Sequence, residues 1–438
     1  MRPKLAGFKM SLFVLAFLLM MVPAQTEASG DSEFVVTFEK EEIDQEALEE
    51  LKELEVEVNT QIPQIGVIAV EADEKDFLEK ASQIDGIEHV TREVFWEPPE
   101  IEKETFDQEE ASEESSLYEV FQWDIKRVTQ NEKAWDITRG DDSVTVGVID
   151  TGIDADHPDL KENLEFATVH YEDAEEEDAY VDPNGHGTHV AGSIAADGEV
   201  KGVGPDLGLA SFRVMNDEGV IPSVATADAI ATAADKGVDV VNISLGALRD
   251  ITDEESRELY HMTRRVVEYA DDQGMIMAVS AGNDSRDLRK PMGEFDDEID
   301  FDETGPLFDV YSYFPDTIAV SASDIQDNLA SYSNYGQARV DLGAPGGDFN
   351  PEDPEDPTTL CLSTYPGEGY AWMAGTSMAS PKAAAVAGLI ISENPGLSHD
   401  EVITQLKETA ETIDHPSDSR RNFGHGLVNS YEALKDLE

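Results

Sequence analysis

Gly375-Thr376-Ser377-Met378-Ala379-Ser380-Pro381, running into Ala383-Ala384-Ala385-Val386-Ala387-Gly388, is the stretch around which this chain is organised. A serine hydroxyl is a weak nucleophile until an adjacent base takes its proton. Small neighbours leave the Ser377 oxygen accessible. Ala383 to Ile391 is apolar on every side, the pattern of a buried helix. A serine opening such a helix sits at the positive end of its dipole, where developing negative charge is stabilised. Taken alone, Gly-Thr-Ser reads equally well as a helix cap.

Two further stretches decide between these readings. Val144-Thr145-Val146-Gly147-Val148-Ile149 is a near-continuous apolar run, expected to be a strand buried on both faces. It ends in Asp150-Thr151-Gly152, so a carboxylate is delivered at the carboxyl end of a core strand, where sites form in open α/β sheets. Asn184-Gly185-His186-Gly187-Thr188-His189-Val190-Ala191-Gly192 places a histidine at the mouth of a second small-residue helix. The order is aspartate, histidine, serine.

These three stretches resemble, residue for residue, the signatures of the subtilisin-like serine peptidases, which share that chain order. The resemblance runs from Phe121 to the C-terminus. It implies a three-layer α/β fold with a mostly parallel central sheet, and an endopeptidase activity. On that resemblance Asp150 orients an imidazole, His186 is general base and acid, and Ser377 is the nucleophile. His189, about one helical turn beyond His186, reads as a packed or capping residue. Met275 to Ser280 is another apolar run, ending in Ala281-Gly282-Asn283. The resemblance assigns the Asn283 amide to the oxyanion hole, together with the serine N–H. It also assigns backbone binding of extended substrate to Ser244-Leu245-Gly246 and to Asp217-Glu218-Gly219, by strand addition. Counting back without gaps from Phe314-Pro315 puts Asp309 at the floor of the pocket for the residue before the scissile bond. A carboxylate there favours Arg or Lys.

Met1 to Ala28 carries a basic start (Arg2, Lys4, Lys9) and an apolar run too short to span a bilayer, the pattern of a secretory signal. Export to the extracellular medium is therefore expected, with no membrane span once the signal is removed. Residues 29–96 alternate as βαββαβ, which suggests a small ferredoxin-like α+β domain. It resembles the inhibitor-type propeptide of secreted subtilases, an intramolecular inhibitor of the finished enzyme. Residues 97–119 are rich in Pro and Glu and read as a solvated linker that holds the maturation site, near Ser115 to Tyr118. The peptidase domain is expected over 120–438. Its further strands are read at Ala210–Met215, Val238–Ser244, Thr317–Ala322 and Ala338–Leu342.

The chain departs from secreted subtilisins in several places. Lys382 stands where many relatives carry histidine, whereas lantibiotic leader peptidases often carry lysine there. Asp159 matches a family calcium ligand, but the following loop, Asp197 to Lys201, is short. No cofactor is required for the chemistry, and a structural calcium is the one metal the resemblance suggests. Asp284 to Gly305 and Phe349 to Asp356 are acidic insertions. The acidic run Glu172 to Asp178 reads as a solvated face or a cation site. Cys361 stands alone, so no intrachain disulfide forms. With 30 Lys and Arg against 95 Asp and Glu, the formal charge of −65 excludes nucleic acid as a primary partner. It suits a protein kept soluble in concentrated salt, where repulsion is screened. The expected partners are a peptide or protein substrate and the chain's own propeptide, with the enzyme a monomer. Two alternatives remain beside a general endopeptidase: a processing peptidase of the lantibiotic leader type, and a non-catalytic binding protein on a protease scaffold.

Overall fold

The computed structural model describes residues 31–73, 76–97, 104–105, 115–172, 174–250, 253–289, 307–353, 356–413 and 416–437. The expected signal segment 1–28, most of the expected linker and most of the acidic insertion after Asp284 lie outside the described residues.

A seven-stranded sheet forms the centre, in the order Leu342–Pro345, Ile318–Ser323, Ile276–Ser280, Val240–Ile243, Thr145–Asp150, Gly208–Arg213, Leu164–Val169. Every pairing in it is parallel. Alternate residues of each strand enter opposite cores, which is why the strands read as unbroken apolar runs. Val146, Val148, Val240 and Ala278 pack with the helices His186–Ala195 and Thr376–Glu393. Ile149, Val241, Ile243, Met277 and Val279 pack with Ser223–Asp235 and Glu254–Asp272 on the other face. Three layers follow from the pleat.

Thr145–Asp150 is first in the chain and yet interior in the sheet. The next two strands lie to one side of it and the remaining four to the other. This reversal of winding leaves a crevice beyond the carboxyl ends of the strands. Asp150 ends the first strand, and Ser244 and Asn283 follow Val240–Ile243 and Ile276–Ser280.

Some boundaries differ from the sequence reading. The expected strand Ala338–Leu342 is displaced to Leu342–Pro345. Ala338 takes a left-handed backbone (φ 64°), which breaks an extended run before it can pair. The edge strand Leu164–Val169 and the hairpin Cys361–Tyr365 with Gly369–Met373 went unread. Their residues are mixed rather than uniformly apolar, so periodicity does not flag them. The linker also ends earlier than expected. Leu117–Phe121 is helical, Leu117 and Tyr118 are buried, and the Tyr118 N–H donates to Glu199 O at 2.9 Å. Cleavage at Leu117 or Tyr118 would require that helix to open.

Residues 31–97 form a second body. Its antiparallel sheet has the order Glu57–Ile62, Val67–Asp73, Asp31–Phe38, Ile87–Arg92. One face packs on its own helices through Phe34, Val36, Leu48, Leu51 and Phe77. The other face gives Val35, Val67 and Ala69 to the same core as Val224, Leu259 and Met262 of the helices Ser223–Asp235 and Glu254–Asp272. Arg265, on Glu254–Asp272, reaches across to Phe38 O at 2.9 Å, Ile65 O at 3.0 Å and Glu88 at 2.5 Å. Glu93 is buried and accepts from the N–H of Ser223 (2.8 Å) and Val224 (3.3 Å) and from the Ser223 hydroxyl, so it caps the helix Ser223–Asp235. Beyond it Phe95–Trp96 pairs antiparallel with Ile221–Pro222.

Burial raises the Glu93 carboxyl to about 7, against the pull of its Ser223, Val224 and Val94 donors. A group raised on folding adds stability at low pH that disappears as pH rises through its folded value. The full chain carrying Ser377→Ala should therefore lose about 3 kcal/mol of stability between pH 4.5 and 8 through this residue. Thermal melts of Glu93→Gln check it: the variant should show a flatter pH dependence over that window, and an unchanged slope rules Glu93 out.

Candidate active site

Asp150 is fully buried, and its Oδ1 stands 2.8 Å from His186 Nδ1. The same carboxylate accepts the Thr151 N–H at 2.8 Å. The Asp150–His186 contact fixes the imidazole tautomer with the proton on Nδ1 and leaves Nε2 as the base. Among the described residues, Nε2 is buried with no hydrogen-bond partner. Burial pulls the imidazole down. The Asp150 and Asp182 carboxylates more than offset this, and the balance lies above the ordinary histidine value.

The histidine helix reaches Asp150 because Gly187 allows it. A Cβ there would lie 2.1 Å from Gly152 O and 3.1 Å from the Asp150 side chain. Asp182 ties the two segments together. One of its oxygens accepts from Thr151 Oγ1 (2.8 Å), Asn184 N (3.1 Å) and Gly185 N (2.8 Å); the other accepts from Thr188 N (2.9 Å) and Oγ1 (2.7 Å). Sequence reasoning missed this residue. Asp182-Pro183-Asn184-Gly185 reads as a turn, and only the position of an acid just ahead of a helix start hinted at capping.

Ser377 opens the long helix Thr376–Glu393, and its hydroxyl donates to Ser244 O at 3.2 Å. Pro381 lacks the N–H that would bond the Ser377 carbonyl one turn back. The Ser244 hydroxyl donates to that carbonyl instead, at 3.0 Å. Beneath it a buried network joins Asn242 Nδ2 to Ser244 Oγ (2.9 Å) and Ser380 Oγ to Asn242 Oδ1 (2.7 Å). The proline in the motif and the serine after Val240–Ile243 are thus one structural device.

Asn283 lies beside the nucleophile turn. Its Oδ1 accepts from Thr376 N (2.9 Å) and Thr376 Oγ1 (2.8 Å). With the carbonyl end held, the amide end remains available for a developing oxyanion. His189 is neutral and structural: Nε2 stands 3.2 Å from Cys361 O and 3.1 Å from Ala371 O. Burial, then the charges of Lys382 and His186, push it down to about 3. The packed reading of His189 holds.

The two backbone segments of the cleft differ. Gly219 has φ +81°, a value other residues reach only with strain, and a Cβ there would meet nothing within 4 Å. At Gly246 a Cβ would sit 3.7 and 3.8 Å from the two Asp309 oxygens, so Asp309 lies against the Ser244-Leu245-Gly246 segment. Leu248 pairs with Asp309 across a short antiparallel bridge, and Leu245 is buried in the core. Asp309 is itself buried, with Oδ1 accepting from Ser312 N (3.0 Å) and Oγ (2.8 Å). Burial raises its carboxyl to about 6, opposed by the Ser312 donors.

Asp159 is engaged by protein donors. Its Oδ2 accepts from Val200 N (3.0 Å) and the Tyr370 hydroxyl (3.2 Å). In the short loop that follows, Asp197 pairs with Arg139 (2.9 Å) and Lys201 (2.6 Å), cations rather than a cation site. Gln122 bridges Lys201 N (2.7 Å) and Lys201 O (2.9 Å). Among the described residues no group of three or more His, Cys, Asp or Glu is placed to hold a metal ion. These residues do not fit the calcium that the resemblance suggests at Asp159. Among the described residues no helix is long and apolar enough to cross a membrane.

Comparison with known proteins agrees with this geometry. Residues 141–426 match the subtilase family model. The thermophilic serine proteinase of Bacillus sp. (strain AK1) is 33% identical over 327 residues, which cover 73% of this chain and 68% of that protein. Among solved structures, the epidermin leader peptide processing serine protease of Staphylococcus aureus superposes with a TM-score of 0.78, covering 93% of this chain and 100% of the other at 23% identity. A lanthipeptide protease superposes with a TM-score of 0.63 at 29% identity, over 72% of this chain and 94% of the other. With its parallel sheet, its crevice and the order Asp150, His186, Ser377, the chain belongs to the subtilase family of serine peptidases.

Proposed function

We propose that the protein is an exported serine endopeptidase, made as a proenzyme, that works through Asp150, His186, Ser377 and Asn283. The observation that carries this reading is the buried 2.8 Å contact between Asp150 and His186, ending in an Nε2 with no partner among the described residues. His186 takes the Ser377 proton as the hydroxyl attacks the peptide carbonyl, and returns it to the leaving amine. Asp150 holds the imidazole and balances its charge in between. The Asn283 amide and the Ser377 N–H receive the oxyanion. Peptide substrate lies extended between Asp217-Glu218-Gly219 and Ser244-Leu245-Gly246, bound through main-chain hydrogen bonds.

Residues 29–96 act as the propeptide. The supporting observation is the pairing of Phe95–Trp96 with Ile221–Pro222, two residues beyond Gly219 on the cleft segment. A fluorophosphonate probe should label the wild type and leave Ser377→Ala unlabelled, and Ser377→Ala should accumulate uncleaved. Normal maturation of that variant, with other proteases absent, would refute self-processing. Asn283→Ala should retain labelling at Ser377 while losing on the order of 100- to 1,000-fold in kcat.

A processing role is favoured by one observation, the buried Asp309 against Gly246. It gives the pocket before the scissile bond an acid that pairs with Arg or Lys, as a leader-trimming peptidase requires. Because its carboxyl is raised to about 6, Asp309 is neutral below that pH and charged above it. KM for an Arg peptide should therefore rise as pH falls below 6, while KM for the matched Phe peptide stays level. Asp309→Ser should abolish the Arg preference; equal preference in both proteins, or a wild-type preference for Phe, removes Asp309 from the pocket.

Salt adaptation follows from the acid excess. At fixed calcium, the melting temperature should rise as sodium chloride approaches molar levels and screening sets in. A flat or falling curve contradicts it.

A further inference from the structure

Lys382 lies five residues beyond the nucleophile, and its side chain is fully buried. Its Nζ stands 2.9 Å from Asp124 Oδ2, and Asp124 is buried as completely. It also donates to Met378 O at 2.8 Å and Pro345 O at 3.0 Å, with Cys361 Sγ at 3.6 Å. The Asp124 contact is a buried ion pair, and the Cys361 thiol lies against the same two groups. A buried pair of this kind is a poor source of stability, since apolar residues of similar volume often do as well or better. Packing alone therefore does not explain it.

What the ammonium touches is informative. Met378 follows the nucleophile directly, and its carbonyl is held by Lys382. The carbonyl of Ser377, stranded by Pro381, is held by Ser244. Two consecutive carbonyls of the nucleophile turn are thus pinned by side chains. Pro345 precedes Gly346, whose carbonyl accepts the Gly375 N–H at 3.1 Å, so Lys382 also grips the strand end that supports the start of the turn. The anion that holds Lys382 in place comes from Trp123–Thr129, the second short helix after the interdomain stretch.

We propose that the Asp124–Lys382 pair is a positioning latch, through which docking of the helix Trp123–Thr129 sets the backbone that carries Ser377. The latch is closed in the uncleaved chain, so the first self-cleavage depends on it as much as later turnover does. Neither residue touches substrate. The proposal rests on the peptidase reading above, and failure of that reading shows in the wild type alone, as absence of labelling and cleavage.

The test compares the full chain with Asp124→Asn and with the double variant Asp124→Leu/Lys382→Met. Self-cleavage, kcat and KM on a chromogenic peptide, and the thermal midpoint are measured for each. Rates are normalised to sites titrated to completion with fluorophosphonate, so that only folded molecules count. The double variant removes both buried charges and should recover a near-wild-type midpoint. Its kcat should nevertheless remain about 10- to 100-fold low with KM within about twofold, because misplacement of the nucleophile is felt in the chemical step. Slower, but complete, self-cleavage should accompany it. If the double variant does not fold, Asp124→Asn decides in the same way, by kcat per titrated site. Wild-type kcat and self-cleavage in whichever variant folds would overturn the latch and leave the pair a packing feature.

Discussion

A carboxylate with no solvent exposure, held against an imidazole at the end of a parallel sheet, is the constraint on which the rest depends. Asp150 would be costly to bury in isolation. It is tolerated because His186 and the Thr151 N–H face it at 2.8 Å. To bring His186 there the helix must approach the Asp150 turn without a side chain between them, and Gly187 meets that need. The sharp entry into the helix leaves orphan donors, which Asp182 satisfies. Each of these residues is explained by the one before it, and the chain of causes begins at the strand.

The layers and the principal site were largely legible in the sequence, for a physical reason. A parallel strand covered on both faces must be apolar throughout, so Val144 to Ile149 and Met275 to Ser280 announced themselves. Residues that end such strands stand at the crevice, which drew attention to Asp150, while the family resemblance pointed to Asn283. What was not legible depends on partners distant in sequence. Asp182 looks like a turn acid until Thr151 and Thr188 are seen around it. Asp124 is an ordinary surface residue in the sequence, and only the fold brings it beneath Lys382, more than 250 residues away. The edge strand Leu164–Val169 is half-buried and lacks the uniform pattern of the inner strands. Asp159 is the opposite case: its family role was legible, but Val200 and Tyr370 engage its carboxylate here.

The second body and the peptidase share a core as well as a surface. Val35 and Val67 are buried in the same core as Val224 and Met262 of the helices Ser223–Asp235 and Glu254–Asp272. Separating residues 31–97 from the rest would therefore uncover apolar area on both sides, a strong thermodynamic reason for the two to stay together. Arg265 adds direction to that contact, since its guanidinium satisfies the Phe38 carbonyl at a strand end and the Ile65 carbonyl in the turn before Val67–Asp73. Release must break apolar packing, a buried guanidinium and the Glu93 cap together.

The acid excess shapes these contacts as well as solubility. Glu33 illustrates it: burial raises its carboxyl first, and the neighbouring Glu172, Glu71 and Glu218 raise it further. Glu172 and Glu218 belong to the peptidase, so like charges meet across the seam between the two bodies. Burial raises Glu93 and Asp309 too, bringing both into the range where protonation changes near neutrality. In an acidic chain a carboxylate is rarely a neutral bystander. Where it meets a cation, as Glu88 meets Arg265, it binds the bodies together; where it meets its own kind, it opposes them. Salt screens the exposed repulsions at the seam more than the buried contacts. High ionic strength therefore favours contact between residues 31–97 and the rest of the chain, and low ionic strength opposes it.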